Sequence, residues 1–155
     1  MAGLSSLSLP VRRSRPEDAA VKFAAPEVPG RANRTVLRLG AVHRRVTHDV
    51  ATGIQDIEVL RDDGGARIES IGVETDFHKI LRYRAHPDDP TAARAEADYD
   101  IRHRHKQGWD TRIRTHSAIA CDGADFIVES DLEAFEGEIR IFSRSWTERI
   151  PRDLC

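Results

Sequence analysis

The sequence contains little cysteine and no long apolar segment. Its two cysteines, Cys121 and Cys155, are too few for a disulfide framework, so free thiols in a reducing compartment are expected. No stretch approaches the run of about 20 apolar residues that spans a bilayer. The Leu/Ser stretch near the start precedes Arg12 and Arg13, which reverses the order found in a secretory signal. These absences predict a cytoplasmic protein that does not bind or cross membranes.

A charge excess of either sign is also missing. The 155 residues include 24 basic and 26 acidic side chains, and 39% of them are hydrophobic. Without net positive charge, or aromatic residues between the basic ones, nucleic-acid binding is not expected. This length and composition predict one soluble globular domain with its own core.

The chain divides into an irregular arm and a β-rich region. Residues 1–33 are rich in Pro, Ala, Glu and Arg, which predicts an extended arm. Residues 34–155 show short alternating patterns separated by turn residues. This pattern predicts an all-β fold, an antiparallel β-sandwich or jelly-roll-like curved sheet. Before the last four strands, the expected strands are Val36–Leu39, His43–Val50, Ile54–Leu60, Ala66–Ile71 and Val73–Arg84, with turns at Thr52-Gly53 and Asp63-Gly64 and one helical turn at Thr91–Ala95.

Residues 97–149 predict a four-stranded meander. Lys106-Gln107-Gly108 suits a three-residue hairpin loop, whereas Asp122-Gly123 and Glu136-Gly137 suit two-residue loops. These loop lengths place a row of apolar residues on one face and opposite charges side by side on the other. The expected apolar neighbours are Ile101, Ile113, Leu132 and Ile141, and Ile119 with Phe126. The expected charge pairs are Arg104 with Asp110, Asp100 with Arg114, Arg114 with Asp131, Arg112 with Glu133, Glu133 with Arg140, and Glu129 with Arg144.

Three segments of this region carry a resemblance to a hydrolase family. They are Gly108-Trp109-Asp110, Glu133-Ala134-Phe135-Glu136-Gly137 and the closing Trp146-Thr147-Glu148-Arg149-Ile150-Pro151-Arg152-Asp153. From about Arg34 onward the chain resembles the C-terminal β-sandwich of the CocE/NonD serine hydrolases, the cocaine-esterase and X-prolyl dipeptidyl-peptidase type. In that family the sandwich packs against an α/β-hydrolase domain that carries the catalytic triad. The resemblance therefore implies an accessory domain whose partner is a hydrolase unit.

The catalytic part of that family is missing from the sequence. No Gly-x-Ser-x-Gly motif is present, and none of the family's catalytic residues corresponds to a position here. No cofactor or metal is assigned, and the chain is not expected to be an enzyme on its own.

Hydroxyl side chains on the predicted core face form a candidate ligand pocket. Tyr99, Thr115, Ser130 and Ser143 are expected side by side across four strands, where a polar floor would hold a small molecule. The alternative is that this end of the sheet is solvated or covered by the arm. His103 and His105 lie two residues apart and project from the same face. That spacing occurs in metal sites on sheets, but it is also typical of hydrogen-bonded histidines near a hairpin end.

An apolar patch on the predicted charged face is a candidate contact surface. Trp146 is expected beside Ile127, with Phe142 two residues away. The cover would be the chain's own arm, a symmetric copy or a separate hydrolase subunit. Two functions therefore compete. One is a non-catalytic packing module. The other is a stand-alone small-molecule-binding protein or small enzyme that uses the Tyr99 face, where His103 and His105 are further pocket candidates and, with Tyr99, the expected acid–base groups.

Overall fold

The computed structural model describes residues 11–13, 15–20, 22–27, 30 and 32–153. The chain separates into two compact units, Met1–Arg31 and Ala32–Cys155. The described part of the first unit contains one short 3-10 helix, Pro16–Ala20. The Asp18 carboxylate accepts a hydrogen bond from the Arg15 N–H at 2.8 Å and forms an ion pair with Arg12. The expectation for Cys155 lies outside the described residues.

The second unit is an antiparallel sheet of eight strands, which confirms the predicted all-β class. One continuous order runs β1-β3-β4-β5-β6-β7-β8, with β2 also paired to β3. This open sheet is consistent with a sandwich or jelly-roll-like fold. The strands are β1 Arg34–Arg38, β2 Ala41–His48, β3 Gln55–Ile68, β4 Val73–His86, β5 Asp89–His105, β6 Asp110–Cys121, β7 Asp125–Glu136 and β8 Ile139–Pro151.

β3 is one long strand where the sequence predicts two. Asp63-Gly64 forms a bulge between the pairs Asp62↔His78 and Gly65↔Asp76 instead of a hairpin turn. The prediction of a turn was wrong because Gly64, with φ of 76°, adds a residue to the strand without reversing it. On one side of this bulge β3 pairs with β2, and on the other side it pairs with β1.

The predicted helical turn at Thr91–Ala95 is also wrong. These residues continue β5, and the chain reverses before them at a two-residue turn, Pro87-Asp88. The Asp89 carboxylate accepts hydrogen bonds from the N–H and hydroxyl of Thr91 at 2.9 and 2.6 Å. The strand therefore begins directly after the turn and leaves no room for a helix.

The β5–β6 hairpin has the predicted loop and register. Its loop is Lys106-Gln107-Gly108, and Gly108 has φ of 106°. Ile101 pairs with Ile113, Asp100 with Arg114, and Arg104 with Asp110, as expected. Three-residue loops of this kind require glycine in the left-handed region, which explains why the predicted loop and register were correct.

The β6–β7 hairpin is closed by a longer loop than predicted. Cys121 pairs with Phe126, so four residues separate this pair where the prediction allows two. The Asp122 carboxylate accepts hydrogen bonds from the Ala124 and Asp125 N–H groups at 2.8 Å, and these bonds lower its pKa. The glycine of this loop lacks the positive φ that a two-residue type I′ turn needs.

This longer loop displaces the predicted β6–β7 pairs by two residues. Because side chains alternate with a period of two, every residue stays on its predicted face. The pairs observed in place of the predicted ones are Ile113 with Ala134, Arg114 with Glu133, Ile119 with Val128 and Arg112 with Phe135.

The β7–β8 pairing departs further, because a bulge interrupts it. The two-residue loop is Gly137-Glu138 and not Glu136-Gly137, and the register shifts between Ala134 and Phe135. The result is an odd displacement, which exchanges the two faces of β8 relative to the prediction. Observed backbone pairs include Glu133 with Ser143, Glu129 with Thr147 and Leu132 with Arg144, while Ile141 lies at the bulge. The predicted ion pair between Glu133 and Arg140 nevertheless forms, at 2.7 Å.

The sheet encloses almost no core of its own. Among the described residues, Ala118 is the sole buried hydrophobic side chain, at 4% exposure. Residues 32–153 supply one layer, whereas a sheet with an apolar face requires a second layer to bury it.

Candidate functional site

One face of the sheet is apolar and uncovered within residues 32–153. Strand alternation and the observed pairing place large hydrophobic side chains from all parts of the sheet on this face, which we call the apolar face. Its partly exposed members are Val42, Val46, Ile57, Tyr83, Ile113, Ile119, Phe142, Trp146 and Ile150. Contiguous exposed apolar surface of this kind occurs at protein–protein and ligand-binding sites.

Trp146 and Phe142 lie on the apolar face and not on the charged face where the sequence placed them. Trp146 pairs with Ser130, and Phe142 pairs with Ala134. Trp146 keeps 40% of its surface exposed, and the Arg144 guanidinium stacks over its ring at 5.3 Å. The third residue of the predicted patch, Ile127, pairs with Arg149 on the opposite face, so the structure does not bring the three together.

Small residues on β5 leave two adjoining hollows in the apolar face. Ala93, Ala95 and Ala97 alternate along the strand between the larger side chains of β4 and β6. The hollows have volumes of about 280 and 210 Å³, and both are bordered by Tyr83 and Ile119. The face therefore carries depressions as well as protruding rings.

The opposite face, which we call the charged face, is a lattice of ion pairs. The Asp98 carboxylate lies 2.6 Å from Arg82 Nη1 and 2.7 Å from His116 Nδ1. Burial acts to raise the pKa of Asp98, but the hydrogen bonds from His116 and Arg82 lower it overall. Asp100 is bound by Arg112, which lowers its pKa. Because these charged groups pair with one another, this face can remain exposed to water.

The four hydroxyl residues of the predicted pocket do not form one row. Tyr99 pairs with Thr115, and Thr115 then pairs with Leu132 instead of Ser130. Ser130 bonds Ser117 at 3.4 Å, one row further along. Ser143 lies opposite Glu133 on the charged face.

A half-open cavity of about 720 Å³ lies beside the charged groups. Three of the predicted pocket residues border it, namely Tyr99, Thr115 and Ser143. The other polar groups around it include Asp98 and His116. The Tyr99 and Thr115 side chains project to the apolar face, so Ser143 is the member of the predicted pocket whose side chain shares the face of this cavity.

His103 and His105 project to the apolar face as predicted but lie apart from that cavity. His103 pairs with Thr111. The His105 ring stacks on Trp109 at 5.9 Å, and its Nδ1 accepts a hydrogen bond from the Gln107 N–H at 3.0 Å. In the described part of the chain, no group of three or more His, Cys, Asp or Glu side chains is placed to hold a metal ion.

The described residues contain no hydrogen-bonded serine and histidine pair. Ser145 donates its hydroxyl hydrogen bond to Asp131, and His116 is held by Asp98. A nucleophile needs a base within hydrogen-bonding reach.

The closing motif is anchored to the β6–β7 loop. Arg152 donates to the Asp122 carbonyl oxygen at 2.9 Å and stacks over the Phe126 ring at 5.3 Å. Its backbone N–H donates to the Ala124 carbonyl oxygen at 2.9 Å, and Arg149 forms an ion pair with Asp122 at the same distance. The Ile-Pro-Arg-Asp segment thus fixes the end of β8 against the neighbouring hairpin.

The chain matches no protein-family model, and no significant match was found among curated proteins or solved structures. Within the described residues, no helix has the length and apolar content needed to cross a membrane.

The meander pattern predicted the part of the apolar face on β5 to β7 but not the part on β2 to β4. The signal was present in the alternation of β2 to β4, where Val42 and Val46, Ile57 and Val59, and Leu81 and Tyr83 each recur at even spacing.

Proposed function

We propose that this protein is a non-catalytic packing module that binds a protein partner through its apolar face. The observation that carries the proposal is the contrast between the two faces. The charged face is satisfied by its own ion pairs, whereas the apolar face exposes rings and aliphatic side chains from β2 to β8. A stable sheet needs a second layer on its apolar side.

The resemblance to the C-terminal domain of CocE/NonD hydrolases suggests what the partner is. Such domains act beside an α/β-hydrolase unit. The partner of the module would be a hydrolase catalytic unit or a second copy of this chain. The small-molecule alternative has less support, because the predicted pocket residues are divided between the two faces.

The purified full-length chain is expected to be inert toward serine-hydrolase reagents. A fluorophosphonate should label no serine, and p-nitrophenyl acetate should be hydrolysed at the buffer rate, because no nucleophile elbow is present. Mass spectrometry and absorbance measure the two results. Stoichiometric labelling of one serine would refute the non-catalytic assignment.

Partner binding is tested with a matched pair of variants on β3. Ile57 on the apolar face and Leu60 on the charged face are 37% and 36% exposed. Titration calorimetry would measure binding to a CocE/NonD-type catalytic unit that lacks its own C-terminal domain, and light scattering would measure self-association. Ile57→Arg should weaken whichever association occurs, and Leu60→Arg should leave it unchanged. A wild-type chain that binds neither partner would refute the proposal.

A further inference from the structure

The apolar face is large enough to form a stable interface between two copies of this chain. A strand spacing of about 4.8 Å and a rise of about 3.4 Å per residue give the part over β4 to β8 an area of about 1,000 Å². A standard stable interface buries about 800 Å² on each partner. One copy laid on another would therefore bury enough surface without any further element.

The same face carries both the depressions and the side chains that fit them. The hollows lie over the alanines of β5, while Phe142 and Trp146 protrude from β8 at the edge of the sheet. A two-fold interface uses one surface twice, so it must be complementary to itself. A two-fold axis parallel to the strands near β6 keeps each residue at its height along the strands, so Trp146 of each copy lies above Leu81, which borders the smaller hollow of the other copy.

The polar residues of the apolar face agree with this arrangement. Arg144 and Glu148 lie on the edge strand beside Trp146, where the rim of the interface stays in water. Ser117 and Ser130, which are nearer the middle, are hydrogen-bonded to each other. Lys79 also lies on this face, on β4 away from the β6 axis, and its ammonium group stacks over the Tyr99 ring at 5.7 Å.

From this size and self-complementarity we infer that a second copy of the chain packs face to face on the apolar face and completes a two-layer sandwich. This inference rests on the proposed packing function and names its partner. The interface is centred on Ile113 and Ile119 of β6, with Trp146 inserted from the partner copy.

The test measures the mass of the full-length chain in solution by light scattering and sedimentation. The wild type should have twice the 17.4 kDa of one chain. Ile119→Arg places a charge at the centre and should weaken association by about 100-fold, as expected for a central interface residue. Ser117→Glu is the second variant, because it adds a charge at the centre without removing an apolar contact of the single sheet. Leu60→Arg on the charged face should remain dimeric.

Several results would overturn the inference. A wild-type chain that is monomeric would contradict it. A dimer that neither Ile119→Arg nor Ser117→Glu dissociates would also contradict it, because such a dimer would form through the sheet edge or the charged face. Deletion of residues 1–30 should leave the dimer intact. If the deletion instead converts a monomer into a dimer, the arm is the native cover. A monomer that still binds the hydrolase unit would refute the second copy and leave the packing function standing.

Discussion

Gly64→Ala is expected to destabilise the sheet by about 3 kcal/mol or more, because two penalties combine at this position. Gly64 has φ of 76°, which disfavours every residue with a Cβ. An added Cβ would also overlap the Arg38 carbonyl oxygen and lie 2.7 Å from the Gly40 nitrogen. Both neighbours are backbone atoms that β1 and the β1–β2 connection hold in place. Denaturant unfolding followed by circular dichroism measures the loss.

Two other glycines separate these penalties. Gly137 has φ of 58°, but no atom lies within 4 Å of the place that an added Cβ would take, so Gly137→Ala should lose only about 1 kcal/mol for its backbone conformation. Gly123 has neither feature, and Gly123→Ala should be close to neutral. Equal stability of all three alanine variants would show that the bulge does not hold β1 against β3.

The second large effect is a loss of stability at low pH, which is expected to depend on the ion pairs of Arg38. Arg38 forms an ion pair with Asp62 and lies 3.0 Å from Asp76 and 3.1 Å from a ring nitrogen of His78. The hydrogen bond from Arg38 lowers the pKa of Asp62 to about 2, with a further contribution from the Gly64 N–H. An ionised Asp62 therefore stabilises the fold above its unfolded pKa near 3.8, and this stabilisation is lost as the pH falls toward 2.

Arg38→Leu should remove this dependence. The variant leaves the carboxylates of Asp62 and Asp76 without their shared cation, so it should be less stable than the wild type at pH 7, with a smaller loss of stability between pH 4 and 2. Urea unfolding over this pH range measures both. Arg45→Leu is the control, because Arg45 is 77% exposed and 3.8 Å from Glu58, where a pair contributes little. The same pH profile for both variants would contradict the assigned role of Arg38.

The sequence predicts a hairpin best where a glycine in the left-handed region allows only one loop length. Gly108 requires a left-handed conformation in a three-residue loop, and the β5–β6 register followed from it. The Asp122-Gly123 segment is compatible with a shorter or a longer hairpin connection. The Asp122 carboxylate accepts hydrogen bonds from two N–H groups, which favours the longer connection. A displacement of two residues keeps each side chain on its face, so the division into an apolar and a charged face was still correct for β5 to β7.

The bulge between Ala134 and Phe135 explains why the predicted contact patch was on the wrong face. A single extra residue moves Trp146 and Phe142 to the apolar side and leaves Ile127 behind. The bulge depends on how β7 and β8 pair over their whole length, which no local turn signal records. The sequence predicted a contact patch at Trp146 from its expected register, and the structure places Trp146 among different neighbours.

The bulge also affects the risk of uncontrolled aggregation. Among the described strands β8 pairs only with β7, so one side of its backbone is free to recruit another chain into a growing fibre. An irregular register twists an edge strand and makes such growth harder. The charges of Arg140, Arg144 and Arg149 repel an identical strand, and Pro151 removes a donor at the end. The edge that presents Trp146 is therefore protected against endless strand addition.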